Sequence, residues 1–285
     1  MRFLRIHEHP ARVTSLGLSW FLFAAGIASY FYVAQLRHRE NPDERVMPTA
    51  SQMIQSFADS ALKPAEDEMV DDGSSTPPAW QRLTSSMLWK DSAATSRRFL
   101  ISVLLLVPAV VLGLHMAMFP YIGAFFLRFV QFFDKIVALS LLPILFIAFG
   151  IDELSKIMLI VVGVAPTIIL DTFNLTKSVP REQIVKAATL GAGDFAIAYR
   201  IVFKQIWPRV LNGIRLNLKA VMLFLFAGEM IASSDGLAYR IALLRRHMGM
   251  DTIIPYVLWV ALLLFLVDLA MHTLNRRLHP WFQET

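Results

Sequence analysis

Apolar residues are grouped along this chain in blocks of about 20 residues, the length of a helix that crosses a hydrocarbon core of about 30 Å. Six blocks predict transmembrane helices at roughly 13–35, 99–118, 121–150, 156–175, 210–232 and 253–274. The third block is too long for one straight span, so it predicts an interfacial helix at 121–134 followed by a true span. The pattern therefore predicts an all-α, polytopic membrane protein with six spans.

The composition agrees with a membrane protein and limits its chemistry. The chain has 285 residues, of which 56% are hydrophobic and 17% are charged, whereas a soluble domain carries about a quarter charged residues. The absence of cysteine excludes disulfides and thiolate chemistry. Seven scattered histidines argue against a membrane enzyme, so we predict no catalytic residue, no metal site and no cofactor. The net charge of +5 indicates orientation rather than nucleic-acid binding.

The distribution of Lys and Arg predicts the orientation of the spans. Both terminal tails and a polar run before the fifth span carry an excess of basic residues, and six spans place all three on one side. By the positive-inside rule this side is cytoplasmic. The predicted organisation is a cytoplasmic tail (1–12), a first span (13–35), a partly flexible extracytoplasmic connector (36–98), a five-span core (99–274) containing the polar run 178–209, and a cytoplasmic tail (275–285). Acidic residues at 64–80 extend the connector.

The polar run 178–209 predicts a helix, a glycine turn and a second helix. Pro180 and Glu182 suit a helix start, and Gly191 and Gly193 enclose a break. Asp194 is placed to cap the second helix. That helix has one apolar face, formed by Phe195, Ala198, Tyr199, Val202 and Phe203. Two short helices across the cytoplasmic mouth of the spans fit either an amphipathic connector on the membrane surface or a docking element for a cytoplasmic partner.

The same run resembles the cytoplasmic coupling loop of type I ABC-importer permeases. Ala187, Leu190-Gly191-Ala192 and Pro208 match the Ala, the Leu-Gly-Ala and a Pro of that loop, and Asn212–Leu216 is similar to the sequence that opens the next span. Val185 and Lys186 stand where the family often has Glu and Ala.

Further segments resemble the subfamily that imports nitrate, taurine, alkanesulfonates and bicarbonate: Leu142–Lys156, Ala227–Met230, Gly236–Tyr239 and Met47–Ala50. The resemblance implies a five-helix permease core with a peripheral first helix. It also implies a homodimer in a bacterial inner membrane, a cytoplasmic ABC ATPase and an extracytoplasmic solute-binding protein. ATP is expected on the ATPase, because the chain has no Gly-x-x-x-x-Gly-Lys-[Ser/Thr] loop. The implied ATPase-coupling residues are Glu182, Val185, Lys186, Ala187, Ala188, Leu190, Gly191, Ala192, Gly193 and Asp194.

Polar groups and prolines in the spans are candidates for the translocation pathway or its gate, because charges inside a bilayer are costly. We assign Pro143, Glu229 and Arg215 to this role. Glu229 fits a helix-end packing contact equally well, and Arg215 fits snorkelling toward the cytoplasm. Asp268 and His272 are one turn apart and are expected to pair as an anchor. His115 is expected to be hydrogen-bonded or interfacial, and Pro143 and Pro166 are expected to kink their spans.

The predicted function is ATP-driven import of a small solute, an anion such as nitrate, a sulfonate, taurine or bicarbonate. The alternative is a secondary transporter or channel without an ATPase, which would favour paired intramembrane charges or inverted repeats that the sequence does not clearly offer. No span residue distinguishes an oxyanion from an amine, so selectivity is expected mainly in the binding protein.

Overall fold

A computed structural model describes residues 12–40, 46–62 and 86–282, and their secondary structure is helical, which confirms the predicted all-α class. In chain order the helices are α1 (Arg12–Glu40), α2 (Ala50–Leu62), α3 (Met87–Leu105), α4 (Val107–Met118), α5 (Pro120–Asp134), α6 (Leu142–Phe149), α7 (Glu153–Lys177), α8 (Arg181–Thr189), α9 (Asp194–Ala196), α10 (Phe203–Ala232), α11 (Leu237–Arg245) and α12 (Met250–Leu278). A 3₁₀ helix (Ala138–Leu141) precedes α6, and a π-helix (Ile197–Val202) joins α9 to α10.

The chain forms two compact units: residues 1–59 with 244–255, and residues 60–243 with 256–285. The first unit contains α1, most of α2 and the start of α12. Within it, Gln52 Nε2 of α2 lies 3.2 Å from His38 Nε2 of α1. Ser56 Oγ donates to Asp251 Oδ2 at 2.6 Å. The second unit contains the remaining spans and every contact of the sites described below.

Four helical stretches of the described residues are long and apolar enough to cross a membrane: Met87–Met118, Glu153–Lys177, Asp194–Ala232 and Met250–Leu278. A fifth exists if α5 and the segment Ala138–Phe149, which meet at 87°, form one broken span. The 29-residue helix α1 is not among the four. The prediction of an all-helical protein with several spans is therefore confirmed, with four or five candidate spans among the described residues, and the count of six stays a prediction.

The segment after α5, which the sequence predicts as a complete span, is too short to cross the membrane on its own. Ala138–Phe149 has four 3₁₀ and eight α-helical residues, which rise roughly 20 Å, against a core of about 30 Å. Pro143 is the second residue of α6, where a missing N–H costs nothing, so it begins a helix instead of kinking one. Gly150, with φ of 79°, follows the end of α6.

Two spans begin earlier than predicted. Their first turns bury polar side chains, and the sequence pattern of such turns predicts a loop. α3 starts at Met87, twelve residues before the apolar block, and its first turns bury Asp91 and Arg98. The connector is thus partly helical, at α2 and at the start of α3, while its acidic stretch lies outside the described residues. The fifth span begins at Asp194 and continues through Pro208, whose carbonyl accepts a 3.0 Å hydrogen bond from Asn275 Nδ2.

α7 lies at the centre of the second unit, with α4 and α10 packed against it. A Cβ at Gly113 of α4 would lie 2.5 Å from the carbonyl oxygen of Ile169 and 2.8 Å from Thr172 Cβ, both in α7. The absence of a side chain at Gly113 therefore sets how closely these two helices approach. α12 instead exposes large apolar side chains such as Leu258 and Phe265, as a helix facing lipid or a partner does.

Candidate functional site

The coupling segment consists of α8, the turn at residues 190–193 and the start of the fifth span at α9. α8 begins at Arg181 after Pro180, and it ends in a Schellman motif. The Ala192 N–H donates to Ala187 O at 3.1 Å and the Gly191 N–H donates to Ala188 O at 3.0 Å. Gly191 has a φ of 83°, a left-handed conformation that glycine adopts without cost. The predicted helix and glycine turn are confirmed.

Two details of the segment differ from the prediction. Asp194 is not the N-cap: Gly193 occupies that position, and no side chain caps the helix there. Asp194 lies in the first turn, where its carboxylate interacts favourably with the positive end of the helix. The second helix is also not short, because α9 continues through the π-helix into α10, and only α8 is a separate short helix.

The coupling segment exposes apolar side chains. Leu190 is 82% exposed, Phe195 66% and Val185 55%. Glu182, Lys186, Ala188, Gly193 and Asp194 are exposed beside them, whereas Ala187 is buried and Ala192 is half-buried. The segment lies before the apolar part of its span. Val185 and Leu190 are therefore apolar surface residues outside that part, and no part of the described chain covers them.

A hydrogen-bonded histidine fastens the coupling segment to the end of α4. His115 Nδ1 lies 2.7 Å from Val111 O and must donate to it, since a carbonyl oxygen only accepts. Its Nε2 is hydrogen-bonded to the Tyr199 hydroxyl, at 3.2 Å. Phe119 stacks on His115 with ring centroids 5.6 Å apart and contacts Phe195 at 5.2 Å. The prediction that His115 is a hydrogen-bonded residue is confirmed.

A second polar site lies at the far end of the helical span that starts at Asp194, roughly 50 Å from Asp194 along the axis. We name it the Arg98 cluster: Arg98, Glu153, Lys156, Glu229 and Asp235. Glu229 is fully buried, and its Oε1 accepts from Arg98 Nη1 at 2.8 Å and from the Thr95 hydroxyl at 2.9 Å. Its Oε2 accepts from the Ala238 N–H at 3.2 Å. Glu229 is therefore paired and hydrogen-bonded on both oxygens.

Arg98 binds two further carboxylates, although only 5% of its own side chain is exposed. Its Nε and Nη2 donate to Glu153 Oε2 and Oε1 at 2.6 and 2.7 Å, a bidentate pair. Nη2 also donates to Asp235 Oδ1, and Nη1 donates to Asp235 O at 3.1 Å. Lys156 Nζ joins Glu153 Oε1 at 3.1 Å to Ser233 Oγ at 3.0 Å. Two buried cations thus connect α3 and α7 to the end of α10.

Hydrogen bonds from Asp91 and Thr95 of α3 hold the loop between α10 and α11. Asp91 Oδ1 accepts from the Gly236 N–H at 3.1 Å and Oδ2 from Arg240 Nε at 2.8 Å, while Thr95 Oγ1 accepts from the Leu237 N–H at 2.9 Å. Burial favours a lower pKa for the Arg240 guanidinium, but its hydrogen bond and charge pairing with Asp91 outweigh burial and raise the pKa above its usual value. A Cβ at Gly236 would lie 2.7 Å from Glu229 Oε2, so a side chain there would collide with the cluster.

Sequence reasoning assigned Arg98 to the connector and missed its role. A signal was nevertheless present. Arg98 precedes the second apolar block, Glu153 and Lys156 lie at the start of the fourth, and Glu229 lies near the end of the fifth. In a chain of alternating spans these three positions fall on one side of the membrane, so their opposite charges can meet.

Arg215 joins α10 to α12 and does not meet Glu229, which lies about 20 Å further along the same helix. Arg215 Nη1 donates to His272 Nδ1 at 2.7 Å, and its Nε lies 3.3 Å from Asp268 Oδ1. The predicted anchor of Asp268 and His272 therefore includes Arg215 as a shared partner. A pathway role for Pro143, Glu229 or Arg215 stays a prediction. The described ranges contain no group of three or more His, Cys, Asp or Glu placed to hold a metal.

Comparison with known proteins places these features in a family. Residues 98–282 match the family described as binding-protein-dependent transport system inner membrane component. The chain is 27% identical to the taurine transport system permease protein TauC of Escherichia coli K12 over 205 residues, which are 72% of this chain and 74% of TauC. It is 26% identical over 275 residues to a Brucella melitensis protein described as a probable ABC transporter permease, covering 95% and 99% of the two chains.

The fold is similar to that of a chain in the inward-facing MetNI methionine ABC transporter. The TM-score is 0.53 at 18% identity, and the likeness covers 72% of this chain and 99% of that one.

Proposed function

Since the chain belongs to the family of binding-protein-dependent transport system inner membrane components, the permeases of type I ABC importers, we propose that it translocates a small solute across a bacterial inner membrane. A separate cytoplasmic subunit hydrolyses the ATP, and a binding protein delivers the solute to the outer face. Similarity to a taurine permease favours a small anion or sulfonate, in the class of nitrate, alkanesulfonates, taurine and bicarbonate.

The exposed apolar surface of the coupling segment carries this proposal. Val185 projects from α8, whose opposite side, at Ala187, is packed on the chain, and Leu190 is exposed just after the helix ends. An amphipathic helix on a membrane surface would turn such residues toward lipid. In an importer they instead enter a groove of the ATPase, and α8 moves with that subunit. The Schellman motif and the contact between His115 and Tyr199 make the connection to the spans rigid.

The proposed assembly is a homodimer that binds two ATPase subunits, with six spans per copy and both termini in the cytoplasm. The large apolar side chains exposed on α12 suit contact with lipid or with the second copy. With the coupling segment in the cytoplasm, the Arg98 cluster lies on the outer face, at the other end of the span that starts at Asp194.

Cysteine crosslinking tests the docking directly, because the chain contains no cysteine of its own. Single variants Ala188→Cys and Gly193→Cys would be co-expressed with the proposed ABC ATPase partner and treated with a bifunctional maleimide. Both sites are expected to crosslink to the ATPase. Ser234→Cys, which is equally exposed at the opposite end of the span, is expected not to. Absence of any crosslink at both coupling sites would argue against docking.

Uptake into proteoliposomes tests the function. Leu190→Glu places a charge in the apolar surface without touching the packed side of α8, so ATP-driven uptake of taurine, methanesulfonate or nitrate is expected to fall more than tenfold while the protein stays folded. Thr189→Glu, on the same exposed helix end, is the matched control. Uptake that continues without any ATPase would identify a secondary transporter or channel instead.

A further inference from the structure

The three carboxylates that bind Arg98 differ sharply in exposure. The side chain of Glu229 is 0% exposed, whereas those of Glu153 and Asp235 are 56% and 54% exposed. We propose that Arg98 is a positioning residue of the transport cycle: its pair with Glu229 is permanent, and its pairs with Glu153 and Asp235 break when the end of the protein opposite the coupling segment opens. Only the assignment of this end to the outer face rests on the proposed function.

The pair between Arg98 and Glu229 is suited to stay intact. Separating these groups would leave a carboxylate inside the protein with no cation, next to the Thr95 hydroxyl and the Ala238 N–H as its remaining partners. Breaking a buried ion pair is among the most costly single changes in a protein. The pair therefore fixes α3 to α10 throughout the cycle.

The pairs with Glu153 and Asp235 are suited to exchange. About half of each side chain already faces solvent, so water can solvate either carboxylate when Arg98 releases it. Breaking either pair returns a half-exposed carboxylate to water and leaves no fully buried carboxylate without a cation, so it costs less than breaking the pair with Glu229. Glu153 is the first residue of α7, and Asp235 lies in the loop after α10. Release therefore requires no unwinding of a span.

The two exchangeable pairs, of Arg98 with Glu153 and with Asp235, connect the two sides of a cavity. It has a volume of about 420 Å³ and lies between the start of α7, at Ile151–Lys156, and the end of α10, at Ile231–Ser234. Arg98 binds one carboxylate on each side of the cavity, Glu153 and Asp235. Lys156 also connects the two sides, through its hydrogen bonds to Glu153 and Ser233. Loss of these bonds leaves the two sides free to separate, which widens the cavity. The contacts that close it are hydrophilic and half-hydrated, as an opening for a polar solute requires.

Distance measurements between two spin labels test this proposal without an ATPase or a substrate. Ile151→Cys and Ser234→Cys carry the labels, one on each side of the cavity and both exposed. The purified chain would be measured in lipid nanodiscs by double electron–electron resonance. In the variant Glu153→Gln with Asp235→Asn, the main distance is expected to lengthen by about 2–5 Å, the scale of helix shifts in switching proteins.

The matched control is Asp152→Asn, which removes a carboxylate from the same cavity but no partner of Arg98. It is expected to keep the parent distance. A distance in the double variant equal to that of Asp152→Asn would overturn the proposal, as would a longer distance accompanied by loss of the folded protein's melting transition.

High salt is expected to lengthen the distance in the parent chain, because it screens half-exposed pairs. A second readout is uptake, where the double variant is expected to change the half-saturating concentration of binding protein several-fold. If the distance lengthens but no ATPase ever docks, the proposed function fails and the role of Arg98 stands.

Discussion

Replacing Arg98 by Met is expected to destabilise the protein more than removing Glu153, one of the half-exposed carboxylates that it binds. The methionine side chain fills a similar volume but leaves Glu229 fully buried without a cation. Breaking one side of a buried ion pair costs about 3–5 kcal/mol. Glu153→Gln removes a half-exposed partner and leaves Arg98 paired with Glu229 and Asp235, so it is expected to cost less and is the matched comparison.

A double-mutant cycle separates the lost pair from lost packing. In Arg98→Met with Glu229→Gln, the amide oxygen still accepts from Thr95 and position 229 no longer carries a buried charge. The double variant is therefore expected to recover about 2 kcal/mol or more of the loss seen in Arg98→Met, a coupling energy in the range for residues in direct contact.

Unfolding would be followed by far-UV circular dichroism as SDS is titrated into detergent micelles, because the described chain is helical throughout. Each free energy of unfolding would be compared with that of the parent chain. Two results refute the reasoning: Arg98→Met no less stable than Glu153→Gln, or single effects that add in the double variant. Either would mean that Glu229 is not held as a buried charge by Arg98.

Five further substitutions, in three tests, probe the helix contacts by the same titration. Gly113→Ala is expected to destabilise by about 1–3 kcal/mol, because its Cβ meets the Ile169 carbonyl, whereas Gly213→Ala has open space and is expected to raise helix stability by up to about 1 kcal/mol. Gly191→Ala is expected to cost about 1–2 kcal/mol at its positive φ. Gly193→Ala, with φ of −72°, is expected to cost less, because only the preference of the N-cap for glycine over alanine is lost; equal effects would contradict the turn geometry. Tyr199→Phe removes the hydrogen bond to His115 and is expected to cost about 0.5–1.5 kcal/mol and to lower uptake; an unchanged stability would show that this bond is not formed.

The lengths of the apolar blocks were enough to predict an all-helical membrane protein, but not where its helices begin. Hydropathy detects a span by the residues that face lipid or other apolar side chains. The first turns of α3 face neither: Asp91 and Arg98 are buried against other helices, where ion pairs replace hydration. The fifth span also begins before its apolar block, and it includes Pro208, because proline is tolerated inside a membrane helix.

The coupling segment was more predictable than the Arg98 cluster for a physical reason. Its shape depends on neighbours in sequence: Pro180 starts α8, and Gly191 supplies the left-handed turn of the Schellman motif. The cluster instead joins Arg98 to Glu229 across 131 positions, and such pairing depends on which face each helix presents. The error at Asp194 is of the local kind, since Gly and Asp are both common at the N-cap and the backbone placed Gly193 there.

The fifth span connects the two sites mechanically. It is helical from Asp194 to Ala232, so a displacement of the coupling segment reaches the end near Glu229 without passing through a loop. The π-helix at Ile197–Val202 is the point where this helix departs from α-helical geometry next to the coupling segment, and such turns often accompany functional sites. Tyr199 lies within it and is bonded to His115, so the irregular turn is held against α4. At the far end, Glu229 is fixed to α3 through Arg98. A helix held at both ends moves its neighbours when one end is displaced. Among the ion pairs of Arg98, the half-exposed ones with Glu153 and Asp235 are the least costly to break.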